Sequence, residues 1–179
     1  MSALRIVASG ELTPSEWDAL TALCVAAFNE SWDGYWESIG PGRHVIASAG
    51  DGRIVGHAAI VDRALYPGDL VLPAAYVEAV AVLPDQQRTG IGTQLMHEIN
   101  RLVDASYQLG ALGTGSHEFY RRLGWETWRG PTWIRHHDGS RERSAGEDGD
   151  IMVRRTPRTP ETLNLDAAIA VDWRPGEVW

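Results

Sequence analysis

The segment Val80-Ala81-Val82-Leu83-Pro84-Asp85-Gln86-Gln87-Arg88-Thr89-Gly90-Ile91-Gly92 constrains this chain more than any other part of it. An apolar strand runs through a tight, proline-led loop directly into a long helix. Both glycines fall where that helix begins, and the first N–H groups of a helix have no intrahelical acceptor. Removing the side chains at 90 and 92 bares those amides, and the helix dipole adds positive potential. Such a segment suits a pyrophosphate. It is not a nucleotide P-loop, because no Lys-Ser or Lys-Thr follows the glycines, and it lacks the three-glycine dinucleotide spacing.

The rest of the chain reads as mixed α/β around this unit, in one domain of 179 residues without internal repeats. Thr13-Pro14-Ser15-Glu16 combines a capping box with proline at the first helical position, and Trp17, Leu20, Cys24 and Phe28 share a face. That predicts a helix over 14–28. Ile91, Leu95, Ile99, Leu102 and Val103 give 90–106 its apolar stripe, and a shorter helix is expected near 116–123. Strands are expected at 4–8, 44–48, 54–65, 74–82, 109–112, 125–128, 151–153 and 167–171. The aromatic, acidic segment 29–42 holds a short helical turn before Gly40-Pro41-Gly42. Turns fall at Gly50-Asp51-Gly52 and Tyr66-Pro67-Gly68-Asp69, and residues 136–149 read as an exposed loop.

Charge narrows the partners. There are 16 basic and 24 acidic residues, a formal charge of -8. Nucleic-acid binders concentrate Lys and Arg, so the balance argues against a polyanion as the main partner. Converging carboxylates would instead favour a cation. The single cysteine, Cys24, rules out an internal disulfide and any multi-cysteine metal centre. Nothing beside it activates a thiol, so it reads as core. His44, His57, His97 and His117 are scattered, and His136-His137-Asp138 reads as solvent-facing, so no metal is expected. No run approaches the roughly 20 apolar residues of a membrane span. The first residues lack a secretory leader, which sets a cytoplasmic expectation.

Gln87-x-x-Gly90-x-Gly92 resembles the acetyl-coenzyme A signature of the GCN5-related N-acetyltransferases. Phe119-Tyr120-x-x-x-Gly124-Trp125 resembles that family's tyrosine helix and the strand after it. Four further segments are similar to the aminoglycoside 2'-N-acetyltransferases: Tyr76–Val82, Tyr107–Leu112, Gly130-Pro131-Thr132 and the tail Asp172-Trp173-Arg174-Pro175-Gly176-Glu177-Val178-Trp179. The resemblance runs from about Ala27 to the end of the sequence, and it makes 156–179 a contributor to the substrate site.

The resemblance implies the family's fold, a mixed central β-sheet flanked by helices, with acetyl-coenzyme A as co-substrate. Val80, Ala81 and Val82 would hold the pantetheine arm, and Gln87, Arg88, Thr89, Gly90, Ile91 and Gly92 the pyrophosphate. Glu78 would be the base that frees the substrate amine, and Tyr120 the acid for the departing thiolate. Asp148, Asp172, Glu177 and Trp179 with its carboxylate would bind a polycationic aminoglycoside. Two aspartates of those relatives fall here at Glu30 or Ser31 and at Tyr35, with Asp33 between them as a substitute. Arg154, Arg155 and Arg158 form a basic patch, either plain surface or a contact for the coenzyme's 3'-phosphate. The relatives' habit implies a homodimer.

The chemistry also stands on its own. Direct transfer requires the amine to lose its proton, which a carboxylate on an otherwise apolar strand can accept. The thioester oxygen gains charge and needs a backbone N–H, for which Val80 is placed. Two other readings compete. One keeps the enzyme but changes the amine to a polyamine, an atypical aminoglycoside or a protein N-terminus. The other is a degenerate binder of coenzyme A or an assembly factor, against which the intact set Gln87, Gly90, Gly92, Glu78 and Tyr120 argues.

Overall fold

The computed structural model describes residues 2–179. Its strands form one mixed sheet, with hydrogen-bonded neighbours in the order β6 (Glu126–Thr127), β9 (Ile151–Arg155), β5 (Leu109–Gly113), β4 (Leu72–Val82), β3 (Ile54–Pro67), β10 (Ile169–Asp172), β7 (Thr132–Arg135) and β8 (Arg141–Arg143); β2 (Gly42–Ser48) also pairs with β3, and β1 (Ala3–Ala8) with β2. The chain divides into two compact units, one from Met1–Val61 with Val77–Arg101 and the other from Asp62–Tyr76 with Leu102–Trp179. Two long strands, β3 (Ile54–Pro67) and β4 (Leu72–Val82), and the helix α3 (Ile91–Ser106) each run through both.

In the first unit β1 (Ala3–Ala8) pairs antiparallel with β2 (Gly42–Ser48), which pairs antiparallel with β3 over Ile54–Val61. Residues Val55–Val61 of β3 are buried without alternation, the pattern of a strand covered on both faces. Gly56 lets α3 lie close on it: a Cβ there would sit 2.7 Å from the Ile91 side chain and 3.0 Å from that of Leu95. Helix α1 (Pro14–Phe28) opens with the expected capping box, the Thr13 hydroxyl accepting from Glu16 N–H and the Glu16 carboxylate from Thr13 N–H. Such a cap is worth about 1 kcal/mol. Asn29 ends the helix in the left-handed conformation. Leu23 and Cys24 then pack with Trp32, Ala79 and Ala81, so Cys24 is core, and burial pushes its thiol up to about 12. The helical turn in 29–42 is α2 (Tyr35–Ile39).

In the second unit the parallel pairing of β4 with β5 (Leu109–Gly113) covers only Ala74–Tyr76 against Leu109–Ala111. β9 (Ile151–Arg155) lies antiparallel on β5, and β6 (Glu126–Thr127) on β9. Between them in sequence comes the short helix α4 (His117–Arg121). The far end of β3 pairs antiparallel with β10 (Ile169–Asp172), β10 parallel with β7 (Thr132–Arg135), and β7 antiparallel with β8 (Arg141–Arg143). The core gathers Leu65, Tyr76, Leu109, Trp128, Ile151, Ile169 and Trp179.

Three expectations change. β3 runs through Pro67 because Leu65, Tyr66 and Pro67 are paired with β10, which shortens the turn to Gly68-Asp69. Strand β7 carries no alternating signal strong enough to announce it. The loop at 136–149 contains β8 and a 3-10 turn at Ala145–Glu147. All three β8 residues are exposed, so composition could not separate them from a loop.

Candidate active site

Strand β4 carries the acid–base candidate of the first unit. Glu78 is 7% exposed, and Tyr35 donates its hydroxyl proton to Glu78 Oε2 at 2.9 Å. A buried carboxylate needs such donors, since an unpaired charge is expensive in an apolar surround. Tyr35 is itself fixed by Trp32, ring centroids 4.2 Å apart, and Trp32 stacks on Phe28. Thus Tyr35 holds the candidate base rather than supplying an acid of its own. Glu30 is exposed, and Asp33 is exposed and accepts from the Ser31 hydroxyl at 2.8 Å.

Directly after Glu78 the backbone of β4 leaves the extended conformation for one residue. Ala79 has φ 51, one of three non-glycine residues in the left-handed region, the others being Asn29 and Arg88. Beyond Ala79, Val80 and Val82 are half-buried while Ala81 turns into the core. The Gln87 side chain donates back to Val82 O at 3.2 Å, and Thr89 Oγ1 to Gln86 O at 2.6 Å, which tightens the loop. Arg88 at φ 61 and Gly90 at φ 93 then turn the chain into α3. The first helical hydrogen bond runs from Gln94 N–H to Gly90 O, so the amides of Ile91, Gly92 and Thr93 precede any intrahelical acceptor. A Cβ at Gly90 would meet nothing within 4 Å, so the approach to these amides is open. The donor set and the open cradle fit a pyrophosphate.

Tyr120 belongs to the second unit, on α4. It is 8% exposed, its ring edge-on to Phe119 and Trp125, and burial pushes its phenol up to about 12. It therefore stays protonated at neutral pH.

The same unit contains a cleft of about 480 Å³ lined by Gly113, Thr114, Ile134, Ser144, Glu147, Asp150, Glu177 and Trp179 among others. Three carboxylates meet there, and none of the three is within 4 Å of an arginine among the described residues; His117 stands 3.9 Å from Asp150. Burial and the charges of Asp150 and Glu177 raise the Glu147 carboxyl above its ordinary range. Arg63 straps the tail by donating to the carbonyls of Asp172 and Val178, and the Trp179 indole donates to Ser144 Oγ at 2.9 Å.

Two acids expected in this cleft are engaged elsewhere. Asp148 accepts from Arg143, from Thr132 N–H at 2.9 Å and from Thr132 Oγ1 at 3.0 Å. The Arg143 guanidinium and these donors hold its carboxyl well below the usual range. Asp172 accepts from Tyr66 at 2.8 Å and lies 3.7 Å from Arg135, whose guanidinium covers the Tyr66 ring. Both carboxylates fasten β-strand ends. Glu147 and Asp150 stand in the cleft instead; the acidic run 147–150 held that signal, shifted by one or two residues. Arg63 carried no sequence signal, and Tyr35, which falls where the relatives have an aspartate, gave none of its bond to Glu78. Arg154 pairs with Asp104, Arg155 with Glu126, and Arg158 donates to the carbonyls of Asp104 and Ala105. The basic patch is thereby spent on ties within the unit. No group of three His, Cys, Asp or Glu is placed to hold a metal, and no helix is long and apolar enough to cross a membrane, among the described residues.

A strand with one left-handed residue, leading through a glycine turn to the open amides of a helix start on a mixed sheet, is the architecture of a coenzyme A-dependent acetyltransferase. Residues 10–128 match the acetyltransferase (GNAT) domain, and the chain belongs to that family, with acetyl-coenzyme A as its co-substrate. Within it, the chain is 31% identical over 180 residues to an aminoglycoside 2'-N-acetyltransferase of Mycolicibacterium fortuitum, covering 98% of this chain and 91% of that one. It is also 31% identical over 123 residues to the N-acetyltransferase Eis of Mycobacterium bovis, but that match covers 63% of this chain and only 31% of Eis. Among solved structures, the Escherichia coli GNAT protein YhbS, crystallised with coenzyme A, superimposes with a TM-score of 0.66 at 18% identity, over 96% of this chain and 89% of that one. At that identity the likeness concerns the fold.

Proposed function

We propose that the protein is an aminoglycoside 2'-N-acetyltransferase that conveys acetyl to the 2'-amine of polycationic aminoglycosides and so confers resistance. The observation that carries this reading is the cleft with Glu147, Asp150 and Glu177, three carboxylates without an arginine partner. Mutual repulsion makes such a site costly when empty and favourable around several ammonium groups. The match to the Mycolicibacterium fortuitum enzyme along nearly the whole chain supports it.

On this reading the amides at the start of α3 bind the pyrophosphate, and the backbone of Val80–Val82 aligns the pantetheine arm. The bound coenzyme supplies acetyl as a thioester. Glu78, directly or through water, takes a proton from the substrate ammonium. The freed nitrogen lone pair forms the new C–N bond as the C–S bond breaks, and the nitrogen's second proton passes, directly or through water, to the departing thiolate. Val80 N–H donates to the acyl oxygen while it carries charge. Tyr120 donates to the departing sulfur. Acetylation turns one ammonium into a neutral amide, which weakens a drug that depends on its positive charge. The working form on this reading is a cytoplasmic homodimer.

The engaged state of Tyr35 favours a second reading. A tyrosine bound to Glu78, where the relatives' pattern has an acid, leaves fewer charges for the sugar rings and admits a different primary amine. A thiol-release assay with matched 2'-amino and 2'-hydroxy aminoglycosides decides between them, with NMR locating the acetyl group. Turnover only with the 2'-amine supports the proposal. Acetylation at another amine, or turnover of polyamines or peptides in preference, overturns it.

A further inference from the structure

Two buried histidines of the first unit have no part in the mechanism above. His57 is 0% exposed and His44 1%. His57 Nδ1 lies 2.8 Å from Ala79 O, His44 Nδ1 lies 2.8 Å from His57 Nε2, and Ser9 Oγ lies 2.9 Å from His44 Nε2. The direction of this chain follows from its end. A carbonyl only accepts, so His57 Nδ1 bears the proton and Nε2 is bare in the neutral ring. His57 Nε2 must then accept from His44 Nδ1–H, which leaves His44 Nε2 to accept from the Ser9 hydroxyl. Ser9 Oγ in turn accepts from Gly42 N–H at 2.8 Å, and it lies nearer His44 Nε2, at 2.9 Å, than the other acceptor of its proton, Gly42 O, at 3.1 Å. Burial holds both imidazoles neutral, as this pattern needs. Trp36 stands edge-on to both rings, at 6.0 Å from His44 and 5.5 Å from His57, and Trp17 edge-on to His44 at 5.2 Å, so neither ring is free to turn.

The chain ends on the one carbonyl in β4 whose residue is in the left-handed region. Ala79 O and Val80 N–H belong to the same trans peptide group, where they point in opposite directions. A bond that holds Ala79 O against His57 therefore aims Val80 N–H away from it. We propose that His57, oriented by His44 and Ser9, is a positioning residue that fixes the Ala79–Val80 peptide plane and so aims the Val80 amide at the acyl oxygen of the thioester. The network deepens the mechanism above and rests on the assignment of Val80 as the donor to that oxygen. It acts on the acyl group, so it is independent of which amine is acetylated.

The test uses two substitutions and the unaltered protein. His57→Leu removes the donor, whereas His57→Asn places an amide N–H near the former Nδ1. Removing a donor of this kind costs about 10²–10³ in turnover, and misdirecting one costs part of that. His57→Leu should lower kcat about 10–100-fold, with KM for acetyl-coenzyme A within about twofold, and His57→Asn should restore kcat to within about fivefold of the parent. Rates are read by thiol release to whichever amine the parent acetylates and, separately, to water. Equal losses in both variants, or a change confined to KM, overturn the proposal. In the unaltered protein, imidazole 15N–1H correlation must show His57 as the Nδ1–H tautomer; the Nε2–H tautomer refutes the network even if His57→Leu does not fold. Glu78→Gln is the control: full activity in it sinks the assigned base and leaves the network standing.

Discussion

Tyr120→Phe isolates the thiolate step. The substitution keeps a ring that packs edge-on against Phe119 at 4.9 Å and Trp125 at 6.3 Å, so the fold is preserved. With its phenol held at about 12, Tyr120 is protonated at pH 7 by about 10⁵ to one. The same value limits what it can do. An ordinary thiol titrates near about 8.5, so full transfer from this phenol to the sulfur is uphill by roughly 3.5 pK units, about 5 kcal/mol. On the proposed mechanism Tyr120 therefore serves as a hydrogen-bond donor to the developing thiolate, not as a full proton donor. A bond to a charged group contributes roughly 1.5–3 kcal/mol, which predicts a loss of about 10–150-fold in kcat. Affinity for acetyl-coenzyme A, measured by calorimetry, should stay within about twofold, because the sulfur bears no charge before reaction. Thiol release under pre-steady-state conditions gives the chemical step. A mutant that releases thiol at the parent rate, with product release shown to be fast, makes Tyr120 a core tyrosine and moves the donor elsewhere.

Glu147→Gln and Glu177→Gln should each raise KM for aminoglycosides about two- to fivefold, in proportion to the roughly 0.5–1 kcal/mol of a partly exposed ion pair. KM for acetyl-coenzyme A should not move, and the parent's aminoglycoside KM should rise with salt; salt-independent kinetics would remove the acidic cleft from the site. Gly90→Ala should weaken coenzyme A binding through the backbone alone, since the space is open but φ is +93, a conformation that costs an L residue about 1–2 kcal/mol; calorimetric affinity equal to the parent's refutes the cradle. The pair His44 and His57, lowered by burial from 6.5 to about 4 and about 3, binds fewer protons folded than unfolded. Stability should therefore be full above pH about 6.5 and fall as pH drops toward 4, by up to about 1.4 kcal/mol per pH unit for each ring. His57→Asn should make the fall shallower in thermal melts from pH 7 to 4, and an unchanged slope would refute it. Asp148→Asn should destabilise at neutral pH and converge with the parent in acid, because Arg143 holds the Asp148 carboxyl low and that contribution is lost on protonation.

The features legible in the sequence are those set by local backbone physics. Thr13-Pro14-Ser15-Glu16 caps α1 through contacts three residues apart, and the apolar stripe of 91–103 makes α3 without help from distant residues. The glycine turn at 90 announced the amide cradle because an unpaired helix start is a local property. Glu78 stood out as a charge within an apolar strand, and Tyr120 through its motif.

Everything that depends on partners far along the chain waited for the tertiary structure. Sequence could not tell that Asp148 is consumed by Arg143 and Thr132, or Asp172 by Tyr66 and Arg135, while Glu147 and Asp150 remain available in the cleft. An acid beside an acid looks alike until side chains from other strands choose between them. Nor could it show Tyr35 reaching across 43 residues to Glu78, or His44 and His57 aligned behind Ala79. The residue types that can do chemistry are written locally. Which of them keep a free proton or charge is decided by the long-range contacts that the fold makes.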